Sequence, residues 1–269
     1  MSKLTKAQAK AHKAACDILA KDELTWGDRW FVLENWQESA THINSIAGAF
    51  FTPAGLAGDF AIDVHGHRII DLCAGIGALS FAHYSRCRFA DGFPDVVCVE
   101  KNPDYVAVGR KIFPEATWIE GDIFNLPDLG RFDTAVSNPP FGATQRNGGK
   151  APRYTGDKFE YHLIDIASDI ADDGVFIIPQ MSAPFAFSGK QCFQQTPSNH
   201  YNKFLEQTGC ELTNGCGVDC EYHREDWHGV SVSVEIVLCD FKEARARRAP
   251  AIAPPQDTEQ FEMFREAAE

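Results

Sequence analysis

Asn138, Pro139, Pro140 and Phe141 stand in a row directly after the apolar run 132–136. Two consecutive prolines remove two backbone donors and fix two φ angles, so the turn they make is pre-set. An amide precedes the turn and an aromatic ring follows it. That arrangement suits a planar amine: the amide oxygen and a proline carbonyl accept its hydrogens, and the ring stacks on the group carrying it. Taken alone, the tetrapeptide reads equally well as a proline-rich loop with an aromatic plug.

Residues 68–80 read as a strand, a Gly-rich turn and a helix start. Gly75 and Gly77 let the backbone approach a ligand closely and take positive φ. The helix N-terminus that follows favours a carboxylate or another electron-rich group. The dinucleotide pattern G-x-G-x-x-G fails at Ser80, and Asp71 before the turn would repel a pyrophosphate. A ligand bearing positive charge fits better. The next strand, 96–100, ends in Glu100, an acid suited to bidentate contact with a ribose diol. The third repeat, 117–124, carries Asp122, an acceptor for an adenine exocyclic amine. The fourth strand delivers Asn138. Four strand ends in succession thus point polar groups toward one sheet edge, where open α/β sheets bind ligands.

These residues resemble the S-adenosylmethionine-dependent amino-methyltransferases, chiefly the adenine-N6 class, over roughly residues 45–240. Asn138-Pro139-Pro140-Phe141 matches that family's catalytic signature. The run from Asp71 through Cys73, Ala74 and Gly75 to Gly77 resembles its cofactor loop, and Phe51-Thr52-Pro53 matches a further cofactor motif. Glu100 with Lys101 resembles the ribose-binding position, and Asp122 with Ile123 the adenine-binding one. The resemblance implies S-adenosyl-L-methionine as cofactor, with Asn138 close to it, and a Rossmann-like class I α/β fold. That fold is a doubly wound, mostly parallel seven-stranded sheet with an N-terminal helical cap. It implies methyl transfer to the N6 amine of adenine in DNA, with adenine in RNA as the alternative, then protein glutamine or a non-catalytic cofactor-binding subunit. The Phe-Thr-Pro motif pulls toward DNA, whereas Asn-Pro-Pro-Phe-Gly and the small size resemble compact RNA enzymes. DNA-modifying relatives carry a sizeable target-recognition domain after the catalytic half, and here the pattern is nearly exhausted by Asp240. A separate specificity subunit is therefore an open expectation.

The elements that must position these residues follow from pattern. Residues 1–60 read as a helical cap containing the cofactor motif, 61–240 as the catalytic domain, and 241–269 as a mobile tail. The cap holds an Ala- and Lys-rich helix at 3–21 and an aromatic-rich stretch at 26–50, where Trp26, Trp30, Phe31 and Trp36 read as packing. The irregular segment 179–199 is the candidate for residual substrate recognition. With 269 residues and 44% hydrophobic content, one large α/β domain with decorations is accessible.

The formal charge of −13 argues against general affinity for nucleic acid, since phosphate neutralisation dominates such binding. Between 141 and 158, however, Arg146, Lys150, Arg153 and Lys158 face Asp157 alone, so this loop is expected to contact a substrate backbone. A second basic cluster, Lys242, Arg245, Arg247 and Arg248, reads as a solubilising tail. Nine cysteines, odd in number and mostly in apolar strands, fit a reducing, cytoplasmic setting. Cys210, Cys216, Cys220, His223 and His228 lack paired C-x-x-C spacing, so no metal is expected there. No apolar run approaches bilayer length and the N-terminus lacks a signal-peptide core.

Overall fold

The computed structural model describes residues 5–37, 50–88, 92–144, 148–228 and 231–248. Its frame is a seven-stranded sheet of order β3-β2-β1-β4-β5-β9-β8. The strands are β1 (Arg68–Leu72), β2 (Asp95–Glu100), β3 (Thr117–Glu120), β4 (Phe132–Ser137), β5 (Ala171–Pro179), β8 (Thr213–Asn214) and β9 (Val234–Asp240). The first five pair in parallel, while β9 runs antiparallel to both β5 and β8. The order reverses between β1 and β4, and the crevice at that switch point is where such sheets take ligands. A separate short hairpin, β6 (Phe185–Ala186) with β7 (Gln194–Gln195), follows β5.

The central strands β1, β2 and β4 are buried on both faces over most of their length, because helices cover the sheet on either side. One core cluster joins Ile69, Val96 and Val136 to the cap and to helices α4 (Ala78–Cys87) and α5 (Pro103–Ile112). The other joins Ile70, Val97 and Ala135 to α6 (Phe159–Ile170), α7 (Asn199–Thr208) and α8 (Phe241–Arg248). Ser137 closes the sheet centre by donating its hydroxyl to the carbonyl of Leu72.

The cap folds as its sequence dictates. Helix α1 (Lys6–Leu19) starts at a capping box of Thr5 and Gln8, and α2 (Trp26–Asn35) at one of Thr25 and Asp28. Trp26 and Trp30 pack on Phe81, and Trp36 on Phe51 and Tyr105, so the aromatic stretch is packing, as expected. The C-terminal half of that stretch lies outside the described residues.

Residues 54–60 form helix α3 (Ala54–Phe60) within the expected helical cap, with Pro53 as its N-cap. Segment 179–199 is largely irregular, as expected, and carries one short antiparallel ladder, β6–β7. One local expectation needs correction. The tail begins later than Asp240: α8 buries Phe241 and Ala244, and Arg245 donates to the carbonyls of Ser168 and Ala171. Its cations are also not free, since Lys242 and Arg245 meet Asp172 and Arg247 meets Glu211 and Glu243. No helix among the described residues is long and apolar enough to cross a membrane.

Candidate active site

A cavity of about 630 Å³ opens at the switch point, a size suited to a drug-sized ligand. Its floor is the turn after β1. Cys73 takes a positive φ of 59° and Gly75 one of 58°, which lets successive amides turn toward one side. Gly75 also lacks a Cβ for a steric reason: one built there would stand 3.2 Å from the Phe51 ring. The amide of Ala74 donates to the carbonyl of Val99 at 3.0 Å, tying the turn to β2.

Glu100 ends β2 as a clamp. Its carboxylate accepts the amides of Gly75 at 2.9 Å and Asn102 at 2.8 Å. Burial raises its pKa, and backbone donors oppose the rise. Asp71 lies beneath the turn, fully buried, with Oδ2 accepting from the Ser80 hydroxyl at 2.8 Å. Its Oδ1 has no hydrogen-bond partner. Burial pushes its pKa up to about 7, against the Ser80 bonds, with Glu100 adding to the rise. Burial likewise pushes the Cys73 thiol up. Such a buried acid with an open oxygen awaits a cation or a donor.

Asp122 stands across the cavity after β3. Its Oδ1 accepts the amide of Phe124 at 3.1 Å, and Oδ2 accepts Lys101 Nζ at 2.7 Å. Ile123 is buried against this wall, and both it and Lys101 line the cavity.

Asn138 follows β4. Its Nδ2 donates to the carbonyl of Phe50 and to Thr52 Oγ1, each at 3.0 Å. Those two acceptors fix the amide's orientation and leave Oδ1 buried and without a partner in the cavity wall. An unmet acceptor costs about 1–3 kcal/mol, so this oxygen is held ready for a donor.

The sequence-derived residues do not all reach the wall. Phe51, Thr52, Asp71, Cys73, Ala74, Gly75, Glu100, Lys101, Asp122, Ile123, Asn138 and Pro140 line the cavity. Pro53, Gly77, Pro139 and Phe141 lie outside its lining: Pro53 caps α3, Gly77 caps α4 and packs on Trp118, and Pro139 is buried. Phe141 is half-buried and packs against the cap-side core. The wall instead takes its aromatic rings from Phe50, Phe124 and Phe159, which no motif announces.

The expected substrate cations also fall out differently. Arg153 is bound by Asp165 at 2.8 Å and Asp169 at 2.6 Å, away from the cavity. Asp165 also accepts the amides of Arg153 and Tyr154, and Ala151 donates to His162. The stretch around Arg153 is thus fastened to α6 and is not a lid. Lys150 is exposed and Lys158 precedes α6 half-buried; neither lines the cavity, and Arg146 lies outside the described residues. The Cys/His residues sit in separate settings: Cys216 beside Asp63, Cys220 under Ser188, and His223 between Asp59 and Asp226. No group of three metal-ligating side chains forms among the described residues.

Sequence reasoning missed Glu160. This fully buried carboxylate accepts the Gly142 amide at 2.9 Å and the Ser182 hydroxyl at 2.7 Å. It pins the end of the proline turn to the start of α6.

No family model matches this sequence, and no curated protein does. Solved structures do. A modification subunit described as part of a type I restriction enzyme of Vibrio vulnificus matches with TM-score 0.54 and 10% identity, over 82% of this chain and 51% of that one. A Listeria monocytogenes structure, described as a class I S-adenosylmethionine-dependent methyltransferase, matches with TM-score 0.52 and 10% identity, over 93% and 71%. This chain thus spans about half the length of the first. Together with the sheet order, these likenesses give the fold: Rossmann-like, of the class I methyltransferase kind.

Proposed function

We propose that this chain is an S-adenosyl-L-methionine-dependent methyltransferase acting on the exocyclic N6 amine of adenine in DNA. The observation that carries the reading is the orphaned Oδ1 of Asn138, fixed by two bonds on its own amide nitrogen. The cavity also fits the cofactor. Asp71 offers an open buried oxygen beneath the turn, Glu100 ends β2 where a ribose diol is held in such folds, and Asp122 and Ile123 form the far wall.

Held by Asp71, Glu100 and Asp122, bound S-adenosyl-L-methionine would supply an electrophilic methyl to the amine nitrogen, with sulfur keeping the S–C electron pair as a thioether and the amine giving up one proton. The chain's own residues make the amine reactive. Its lone pair is delocalised into the ring, so accepting its hydrogens at Asn138 Oδ1 and the Pro139 carbonyl favours the pyramidal nitrogen and stabilises positive charge developing there. Phe141 packs on the core outside the cavity, so stacking on the base falls to the rings that line it, among them Phe124 and Phe159. No strong base is needed, because the proton leaves to solvent after transfer. A target inside a duplex must first be flipped out, at a cost of a few kcal/mol.

The test is Asn138→Ala. Cofactor affinity by titration calorimetry stays within about threefold of wild type, and turnover falls by at least about 10². Unchanged turnover would remove Asn138 from the chemistry.

A further inference from the structure

We infer that the β6–β7 hairpin, with Met181 at its root and Phe193 on its return limb, is the acceptor-recognition element and takes unpaired nucleobases. The inference rests on the adenine reading above.

The hairpin leaves the same sheet edge as Asn138, directly after β5. It is joined to the proline turn by two hydrogen bonds on Glu160, one from Ser182 and one from Gly142. It is also firmly mounted. The buried carboxylate of Glu235 on β9 accepts the amides of Phe187 and Ser188, the Ser188 hydroxyl at 2.8 Å, and Gln180 Nε2 at 2.6 Å. Thr196 donates to the carbonyl of Pro184 at 2.7 Å. Such a mount orders a loop before any acceptor arrives.

What the mount presents is unlike the rest of the chain. Residues 180–205 contain no Asp or Glu, although the protein holds 38. Met181 is 76% exposed, and Phe193 is 44% exposed while stacked on Phe185 at 5.4 Å. Gln191, Gln194 and Gln195 are exposed beside it. Aromatic rings such as Phe193 stack on base faces, a flexible thioether such as Met181 adapts to apolar surfaces beside them, and carboxamides pair with base edges. The only Lys or Arg residues in the segment are Lys190 and Lys203, too few for the phosphate grip that duplex binding needs. Bases that are already unstacked offer their faces and edges to this surface without a flipping cost.

The test measures binding of a fluorescent, adenine-containing single-stranded DNA and of its duplex to the full chain with S-adenosylhomocysteine, by anisotropy. Methyl-transfer kinetics are run in parallel. The variants are M181A/F193A and Q194A/Q195A, with melting temperature and cofactor affinity as controls. Wild type prefers the single strand. M181A/F193A weakens it about tenfold or more, raising KM with kcat and cofactor affinity unchanged. Q194A/Q195A raises KM as well and is independent of the Phe185 stack. A wild type that methylates DNA while both variants match it, or that prefers duplex, overturns the inference and leaves the adenine reading standing. A wild type that binds cofactor but neither binds nor methylates DNA or RNA defeats that reading and the inference with it.

Discussion

The role proposed for the Asn138 oxygen depends on what its nitrogen does. Phe50 and Thr52 occupy Nδ2, which leaves the buried Oδ1 as the amide's unmet atom. Thr52→Val removes one of these acceptors; turnover is expected to fall about tenfold, the equivalent of one hydrogen bond, with cofactor affinity little changed in calorimetry. Asp71 makes a pH prediction. Its pKa in the free protein stands at about 7 because of burial, and a cationic ligand favours the ionised form. Cofactor affinity should therefore rise with pH up to about 7 and level above it, with proton release on binding below that point. Asp71→Asn should flatten the profile. Stability of the free protein runs the other way. A carboxyl whose folded pKa is raised contributes most below its unfolded value, near 4, and that contribution is lost as pH rises through about 7. The meeting of Asn138, Asp71 and Glu100 at one cavity was legible because each lies at or beside a strand end within a local motif. The contact from Thr52 to Asn138 was not legible as a contact, since 86 residues separate the pair.

At the scale of elements, the Gly-rich turn is shaped by residues of its own and of the Phe51 motif, whereas the β6–β7 hairpin is held by a residue outside any motif. Gly75 has a positive φ, and a Cβ there would press on Phe51. Gly75→Ala should cost about 1–2 kcal/mol from the left-handed backbone alone and weaken cofactor binding, both measurable by thermal melts with and without cofactor. Glu235 holds the hairpin. Glu235→Ala strands several buried donors at about 1–3 kcal/mol each. The expected fall in melting temperature is at least about 6 °C, at roughly 2–4 °C per kcal/mol. The strands and the order of the βα units were readable from apolar runs and Gly punctuation. Helix α3 and the hairpin were not, because short elements give periodicity too few residues to register. Glu160 was hidden for a related reason: a Glu in a helix's first turn reads as solvated until Gly142 and Ser182 fold onto it.

For the whole molecule, charge is the quantity that sequence reading handled least well. From sequence, the basic residues at 146–158 are expected to contact a substrate backbone, and those at 242–248 read as a solubilising tail. Folding pairs Arg153, Lys242, Arg245 and Arg247 with carboxylates instead. With a formal net charge of −13, few phosphates are expected to be neutralised. KM for single-stranded DNA should rise by about threefold or less between roughly 50 and 200 mM salt, the slope of about one phosphate contact. A steep loss would reveal a cationic track. The most direct test of the account is the product itself. Purified chain is incubated with isotopically labelled S-adenosyl-L-methionine and single-stranded DNA, duplex DNA, structured RNA or total protein, with Asn138→Ala as control. Products are digested and identified by mass spectrometry. The account predicts N6-methyladenine from DNA, most from the single strand, and none with Asn138→Ala. Label in glutamine, or in RNA but not DNA, or undiminished label with Asn138→Ala, would contradict it.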